Sequence, residues 1–267
     1  MPRNSRRRPT PRAASNARMN SGNAELAREL APGGRIRAAI NLGNPVLAQR
    51  GADGELTGIS VKLAHELAQR LDLPLELVAF NAAGKVVSAL REDAWDVAFL
   101  AIDPARAEAV DFTAPYVIIE GGCLVAKSSP LQHVEEVDRD GARIAVATGS
   151  AYDLFLTRTL RHATLVRHGS GEAALAAFRA GSLDVLAGVK SPLHRVADRD
   201  PRVRVLSGAF MQIEQAMGIP GGRPAALAFL SAFVEDVKAS GFVADALDRT
   251  GQTDARVAPA ASSRPRA

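Results

Sequence analysis

Hydrophobic residues between positions 35 and 250 fall into two patterns that alternate along the chain. Short apolar runs, typical of buried strands, alternate with stretches whose apolar positions recur at helical spacing. The apolar runs predict strands at residues 36–40, 75–80, 97–102, 123–127, 143–148, 163–167, 183–189, 203–206 and 215–219. The helical spacing predicts helices at residues 24–30, 60–71, 85–92, 151–161, 171–180, 192–198, 224–239 and 242–249. Because helix-length connections let successive strands lie parallel, the pattern predicts an α/β fold with mostly parallel sheets.

The alternation is interrupted in the middle of the chain. Residues 111–116 are predicted to be irregular, and the pair Gly121-Gly122 then precedes the strand where a second series of strands and helices begins. Two consecutive α/β series joined at a Gly-Gly pair predict two lobes with a cleft between them. In the first series, residues 44–54 are predicted to form a loop, and Ser60 is predicted to cap the helix that follows.

The positive charge of the chain is concentrated at its two ends. The first 20 residues contain six arginines and no acidic residue, and residues 251–267 contain three arginines and one aspartate. Of the formal charge of +4, this leaves −4 for residues 21–250, which argues against a nucleic-acid groove on the folded domain. Residues 1–22 and 251–267 are predicted to be disordered, solvated arms. Loose binding of an arm to nucleic acid or to an anionic membrane is the alternative.

The sequence also allows predictions about membrane-spanning segments, export and disulfide bonds. No apolar run reaches the roughly 18 residues that a membrane-spanning helix needs. Residues 1–22 contain no apolar stretch typical of a secretory signal, so a cytoplasmic location is an alternative to export. Cys123 is the single cysteine, which excludes an intrachain disulfide, and its apolar neighbours predict a small buried side chain.

Motifs for cofactor chemistry are not found. The five histidines form no HExxH motif and no i,i+4 pair, and they have no cysteine partner. No GxGxxG follows a predicted strand and no GxxxxGK[ST] is present, so neither a dinucleotide nor a nucleoside triphosphate is supported. We therefore expect neither a metal nor another cofactor.

Arg106 lies just beyond the predicted strand at residues 97–102, which Asp103 and Pro104 end. Ligands of open α/β sheets usually bind beyond the carboxyl ends of the strands. A planar, permanently charged guanidinium at this position suits a carboxylate. Our central hypothesis is that Arg106 holds the acidic group of a small ligand in a cleft. The alternative is a surface arginine paired with Asp103 or Glu108.

Residues 148–152, Thr-Gly-Ser-Ala-Tyr, are a second candidate anion site. They predict the turn between a strand and a helix, and the free N–H groups of a helix N-terminus attract an anion. The alternative is ordinary helix capping by Ser150. Together with Arg106, this segment would give one anion contact from each lobe.

Several segments, in the right order, resemble the family 3 solute-binding proteins, the amino-acid-type extracellular binding proteins of bacterial ABC importers. The most specific is IDPARAEAVDFTAPY at residues 102–116, which is similar to the family's I-T-P-E-R-x-x-x-[VI]-D-F-[ST]-x-P-Y. The others are GELTGISVKLAHELAQRL, IAVATGS, AGSLDVLAG, and QAMGIP with the later KASGFVADALDR. The resemblance covers residues 35–250.

The resemblance implies a two-lobed, type II periplasmic-binding-protein-like fold, in which each lobe is a mostly parallel sheet flanked by helices. Lobe 1 would comprise residues 23–118 and 216–250, and lobe 2 would comprise residues 122–208. The hinge strands would be residues 118–122 and 208–215. The ligand cleft would lie between the lobes, and the family expectation is a monomer.

The resemblance also implies roles for individual residues. Arg106 corresponds to the arginine that grips the ligand's α-carboxylate. Ser150, Ala151 and Tyr152 correspond to the backbone amides that assist it. Asp103, at the same strand end as the arginine, is included in the predicted site.

Three positions depart from the family's ligand site. The acid that accepts the ligand's ammonium group falls at Val189, the serine before the signature falls at Ala101, and a first-lobe aromatic residue falls at Asn44. A buried ammonium group without a carboxylate partner costs several kcal/mol. We therefore predict that standard α-amino acids bind poorly and that the ligand is a small carboxylate or another anion. A replacement acid near the hinge, Glu120 or Glu214, would overturn this prediction.

The predicted function is the capture of a small carboxylate-bearing or amino-acid-like ligand by hinged closure, for an ABC importer whose permease would be the partner. One alternative is an enzyme similar to the cyclohexadienyl dehydratases, for which Glu120 is the candidate acid. Another is a sensor or orphan binding protein that is not exported. The resemblance implies the periplasm, whereas the lack of a visible signal peptide favours the cytoplasm.

Overall fold

The structure of the protein, a computed structural model, describes residues 24–252 and 254–261. The predicted N-terminal arm lies outside the described residues. The strands are β1 (Ile36–Asn41), β2 (Gln49–Arg50), β3 (Leu56–Thr57), β4 (Leu75–Phe80), β5 (Val97–Ala101), β6 (Val110–Ala126), β7 (Arg143–Ala147), β8 (Thr164–His168), β9 (Val185–Val189), β10 (Val203–Val205), β11 (Met211–Pro220) and β12 (Arg256–Val257). The helices are α1 (24–30), α2 (Ile59–Leu71), α3 (Ala83–Ser88), α4 (Pro104–Ala107), α5 (Ala151–Thr159), α6 (Gly171–Arg179), α7 (Lys190–Arg199), α8 (Pro224–Ala239) and α9 (Phe242–Arg249).

Ten of these strands form one mixed sheet with parallel strands at both ends. The order is β4-β1-β5-β11-β6-β9-β7-β8, and β10 and β12 also pair with β6. β1 is parallel to β4 and β5, and β7 is parallel to β8 and β9. β6 and β11 are antiparallel to each other and to their other neighbours, and they join the two parallel parts. The predicted α/β class and its parallel pairs are therefore confirmed.

Each parallel part of the sheet has its own apolar core. We call the part with β1, β4 and β5 lobe 1, and the part with β7, β8 and β9 lobe 2. In lobe 1, β1 packs on α2 and α8 through side chains such as Ile40, Leu67 and Leu230, all of them fully buried. In lobe 2, Val146 of β7 packs on Leu156 of α5. Burial of each such side chain contributes about 1.5–3 kcal/mol, so both lobes have a core that stabilises them. The residue numbers at which the lobes divide stay a prediction.

The largest difference from the sequence prediction is β6. Residues 111–116 are not irregular; they belong to a strand of 17 residues that runs from lobe 1 into lobe 2. Pro115 is tolerated inside this strand because the pairing between β6 and β11 shifts register beside it, at Gln215 and Ala216. At such a bulge a ladder hydrogen bond is absent, so the missing N–H of proline costs nothing.

Gly121 and Gly122 also lie inside β6 rather than in a turn. A Cβ atom added to Gly121 would lie 2.8 Å from Met211 Cγ, and one added to Gly122 would lie 3.1 Å from Lys190 Cγ. These glycines are therefore needed for close packing against β11 and α7. Glycine in a strand often marks such a close approach. Cys123 follows as a fully buried thiol, as predicted, and burial raises its pKa to about 12.

Three smaller predictions are also corrected. The loop at residues 44–54 contains β2, which pairs with β3 in a short hairpin. Ser60 does not cap α2, since the cap position is Gly58 and Ser60 is buried in the first turn. The C-terminal arm is not wholly disordered, because β12 pairs with Ile118 and Val117 of β6. No helix in the described ranges is long and apolar enough to cross a bilayer.

Gly58 is expected to be essential for the stability of lobe 1. Its φ of 115° is disfavoured for other residues, and a Cβ atom there would collide with Leu47 O and lie 2.8 Å from Ala48 Cα. Replacement by alanine should therefore lower the free energy of unfolding by about 3 kcal/mol, from backbone strain and steric overlap together. The matched control is Gly54→Ala, at a φ of 87° with open space around it, which should cost about 1 kcal/mol. If urea unfolding shows the same loss of unfolding free energy for both variants, the contact with Leu47 is not important.

Candidate functional site

Arg106 is buried at the junction of the two lobes. It lies on α4, a short helix whose first turn is capped by Asp103, which accepts a hydrogen bond from Ala105 N at 2.9 Å. Only 3% of Arg106 is exposed, which excludes the alternative of a surface arginine. Its Nη1 donates to Ala101 O and its Nη2 donates to Gly149 O of lobe 2, each at 2.8 Å. Its buried Nε has no hydrogen-bond partner among the described residues.

The charge of Arg106 is only partly compensated. Burial lowers the pKa of Arg106 from 12.5 to about 10, because the charged form loses hydration, and the nearby carboxylate of Asp103 acts in the opposite direction. The side chain therefore remains protonated at neutral pH. A buried cation with an unused donor is stabilised by an anionic partner.

The start of α5 faces Arg106 from lobe 2. Ser150 caps this helix by accepting a hydrogen bond from Asp153 N at 3.1 Å, so the ordinary capping considered as the alternative is present. The N–H groups of the next two residues, Ala151 and Tyr152, have no acceptor in the described part of the chain. The carboxylate of Asp153 is occupied by Arg167 at 2.9 Å. Two free backbone donors at a helix N-terminus therefore lie close to the guanidinium.

Buried carboxamide side chains add further donors. Asn41 Oδ1 accepts from Gly43 N at 3.0 Å, and Asn44 Oδ1 accepts from Val46 N at 3.2 Å. Each side chain keeps its NH₂ group to offer to a ligand. Gln215 of β11 is a third buried carboxamide.

One cavity is lined by these groups. It has a volume of about 40 Å³, enough for an anionic group or a few water molecules. Its lining includes Arg106 and residues of both lobes: Asn41, Asn44, Asn81, Ala101, Thr148, Ser150, Ala151, Tyr152, Val189 and Gln215. No aspartate or glutamate is among the lining residues of this described cavity. The site therefore has an excess of donors and suits an anion.

Most of the predicted site residues come together at this cavity. Arg106 shares it with the predicted residues Ala101, Asn44, Ser150, Ala151, Tyr152 and Val189. Their roles as ligand contacts stay a prediction. Asp103 is not in the lining; its carboxylate binds Arg158 of lobe 2 at 2.7 Å.

Glu120 also lies away from the Arg106 cavity. Its carboxylate binds Lys190 Nζ at 3.0 Å, and both residues line another cavity, of about 250 Å³, together with His194 and Val189. Glu214, the other acid considered near the hinge, has an exposed side chain and is also not in the lining. Neither acid therefore lines the Arg106 cavity.

Asn41 and Gln215 were missed by the sequence prediction. Asn41 is the last residue of β1, and the carboxyl end of a parallel strand is a common place for a ligand contact. A polar residue ending a predicted buried strand was therefore an available signal. Gln215 gave no comparable signal, because its place beside Arg106 depends on the antiparallel pairing of β11 with β5.

The two lobes are in contact around the cavity. Arg158 of α5 reaches across to Asp103, and Arg106 reaches across to Gly149. A Cβ atom added to Gly84 of lobe 1 would lie 3.0 Å from Thr148 O of lobe 2. The structure therefore has the two lobes in contact around the small cavity.

Residues 36–252 match the family model of the bacterial extracellular solute-binding proteins, family 3. The L-cystine-binding protein TcyJ of Escherichia coli is 25% identical over 181 residues, which are 67% of this chain and 68% of TcyJ. The structure of a cysteine-binding protein from Campylobacter jejuni superposes with a TM-score of 0.74 at 19% identity, covering 91% of this chain and 96% of that protein.

A third similar structure is the ancestral amino acid-binding protein AncCDT-1, a precursor of cyclohexadienyl dehydratase. Its TM-score is 0.70 at 21% identity, and the alignment covers 83% of this chain and 97% of AncCDT-1. These structures share the two-lobed fold of periplasmic binding proteins, as predicted from the sequence.

Proposed function

Because the chain belongs to the bacterial extracellular solute-binding proteins of family 3, we propose that its solute carries a carboxylate or another anionic group, which Arg106 holds between the lobes. The observation that carries this proposal is the buried guanidinium, whose Nε has no partner among the described residues and which lines a cavity without acidic side chains. The Ala151 and Tyr152 amides would bind the same anion from the other lobe. Charge-assisted hydrogen bonds of this kind are the strong ones in proteins.

The proposed solute lacks the α-ammonium group of a standard amino acid. TcyJ is named as an L-cystine-binding protein. In this chain, the position that the family resemblance assigns to the ammonium acceptor is Val189, which lines the Arg106 cavity and has an apolar side chain. No carboxylate in the lining of the described cavity compensates an ammonium group, and the Arg106 guanidinium would repel one. Burying an unpaired ammonium costs several kcal/mol, so amino acids should bind weakly.

We propose that the solute is captured by closure of the two lobes, with hinges at residues 118–122 of β6 and at residues 208–215, which include the start of β11. Contacts that join both lobes exist only when the cleft is closed, so a ligand that bridges Arg106 and α5 shifts the population toward closure. An ABC permease in the membrane would then bind the closed form. A periplasmic location follows for a protein with this role.

The ion pair between Asp103 and Arg158 should stabilise the closed form. Arg158→Ala removes a link between lobes and leaves a carboxylate that is 4% exposed without its partner. We expect the dissociation constant for a bound acid to rise about fivefold, which equals about 1 kcal/mol. Arg167→Ala is a close control, because Arg167 has the same 43% side-chain exposure and also binds an aspartate, but within lobe 2. If both variants weaken binding equally in calorimetry, the pair is not a closure contact.

We propose that binding occurs without turnover of the solute. The dehydratase alternative requires a positioned acid beside the substrate, and its candidate, Glu120, forms a salt bridge with Lys190 beside a different cavity. Incubation with prephenate and with arogenate should leave both compounds unchanged. Enzyme-dependent loss of either would favour the dehydratase.

The direct test compares acids that differ from amino acids only by the α-ammonium group. The pairs are propanoate and alanine, 4-methylpentanoate and leucine, and 3-phenylpropanoate and phenylalanine. Calorimetry is done on protein that has been unfolded and refolded to remove any co-purified solute. Wherever binding is detected for a pair, the acid should bind at least about tenfold more tightly than its amino acid, which is a difference of about 1.4 kcal/mol in binding free energy. Micromolar binding of a standard amino acid, or of L-cystine, would overturn the proposal.

A further inference from the structure

We infer that the solute carries a bulky apolar group, and that this group fills a second cavity which adjoins the Arg106 cavity. This inference rests on the proposed function, because it assumes that Arg106 binds the acidic end of the same molecule. The Arg106 cavity, with about 40 Å³, has room for an anionic group and for little more. The rest of a solute needs another space.

The second cavity is large and adjoins the first. Its volume is about 570 Å³, within the range of about 300–1,000 Å³ that is usual for small-molecule sites. Gly43, Asn81, Tyr152, Gly171 and Val189 line both cavities, so the two spaces meet along the cleft. The inferred solute, anchored at Arg106, would extend past these shared residues into the larger space.

The wall of this second cavity is mainly apolar. Lobe 1 contributes the loop after β1, and lobe 2 contributes β9, α6 and α7. The side chains that matter for the argument are Leu42, Pro45, Leu175, Pro192, Leu193 and Val196. Because apolar surface comes from both lobes, an apolar group between them would lose contact with water on closure. Such burial favours the closed form.

The charged residues of the wall do not provide a second polar anchor. They are Arg50 and Glu172, and both side chains are exposed. Arg50 Nη1 is already bound to Gly54 O at 2.9 Å. The charged groups therefore lie at the two extremes, with Arg106 deep inside and these residues at the solvent side, and most of the lining between them is apolar. This distribution fits a hydrophobic carboxylic acid better than a polar or doubly charged one.

The test is the dependence of affinity on the apolar part of the acid. Propanoate, 4-methylpentanoate and 3-phenylpropanoate keep the same acidic end and increase in apolar size. Each methylene that is buried should increase affinity about fourfold, so the two larger acids should bind more than tenfold more tightly than propanoate in calorimetry. If propanoate binds as tightly as 3-phenylpropanoate, this inference is wrong while the proposed function stands. If none of the three acids binds, the proposal that Arg106 holds a carboxylate fails as well.

A pair of matched variants locates the apolar group. Leu175→Gln places a polar side chain of similar size in the wall of the second cavity. It should weaken 3-phenylpropanoate binding about tenfold and reduce the advantage of that acid over propanoate. Leu227→Gln is the control, because Leu227 is also a half-buried helical leucine packed against a core, but it lies on α8 away from both cavities. Equal effects of the two substitutions on 3-phenylpropanoate binding would contradict the proposed location.

Discussion

Replacing Val189 with aspartate is expected to change the preference of the protein from 3-phenylpropanoate to phenylalanine. Val189 lines the Arg106 cavity, so the new carboxylate would face the α-carbon of a bound acid. It would attract an ammonium group there and repel a ligand that has only a carboxylate. A buried ion pair that loses one partner costs about 3–5 kcal/mol, so the ratio of the two affinities should change at least about 100-fold.

The substituted protein should fold, because Val189 is also the N-cap residue of α7 and has no side-chain cap. Aspartate is among the best N-cap residues and typically stabilises a helix by about 1 kcal/mol relative to an apolar residue. Since Pro192 occupies the third helical position and has no N–H, the cap can use only one carboxylate oxygen through Ser191 N. The other oxygen remains for a ligand.

Val189→Asn is the matched control for the charge. It has the shape and the capping ability of the aspartate variant but no negative charge. Phenylalanine should therefore gain affinity with aspartate and not with asparagine. A similar gain with both substitutions, or with neither, would show that the missing carboxylate is not what excludes amino acids.

Arg106→Ala is expected to abolish binding of the acid. The substitution removes the only charged group in the lining of the described cavity. It also leaves Ala101 O and Gly149 O without their donor. Loss of one partner of a buried charge pair costs about 3 kcal/mol or more, so the dissociation constant for 3-phenylpropanoate should rise at least about 100-fold in calorimetry.

Arg106→Lys separates charge from geometry. Lysine keeps the positive charge but lacks the planar fork that can donate to two carbonyl oxygens and to a ligand together. It should bind the acid more tightly than the alanine variant and more weakly than the natural protein. Thermal unfolding of each variant shows whether the fold is retained. If the alanine variant is folded and its affinity for the acid is unchanged, Arg106 does not bind the ligand.

The fold could be predicted from local pattern wherever an element makes its own signal. α8 and α9 match their predicted ranges, because each has apolar residues at helical spacing and a clear start. β6 could not be predicted as one strand, since its proline and its two glycines normally signal a break. Their tolerance depends on a bulge and on close packing against β11 and α7, and these features arise only when distant segments meet.

The candidate site shows the same division between local and long-range information. Arg106 could be predicted because it follows a buried strand and a proline, and the start of α5 could be predicted from its turn residues. The resemblance to a family then connected the two. Two ion pairs could not be predicted from the sequence: Asp103 with Arg158 and Glu120 with Lys190. Their partners lie 55 and 70 positions apart in the chain.

The most direct test of the central claim is a crystal structure of the protein with 3-phenylpropanoate. The predicted result is a carboxylate within hydrogen-bond distance of Arg106 Nε and of the Ala151 or Tyr152 amide, with the phenyl ring in the second cavity. A carboxylate bound instead to Lys190, in the cavity of about 250 Å³ that Glu120 and His194 also line, would contradict the claim if the Arg106 cavity held no ligand.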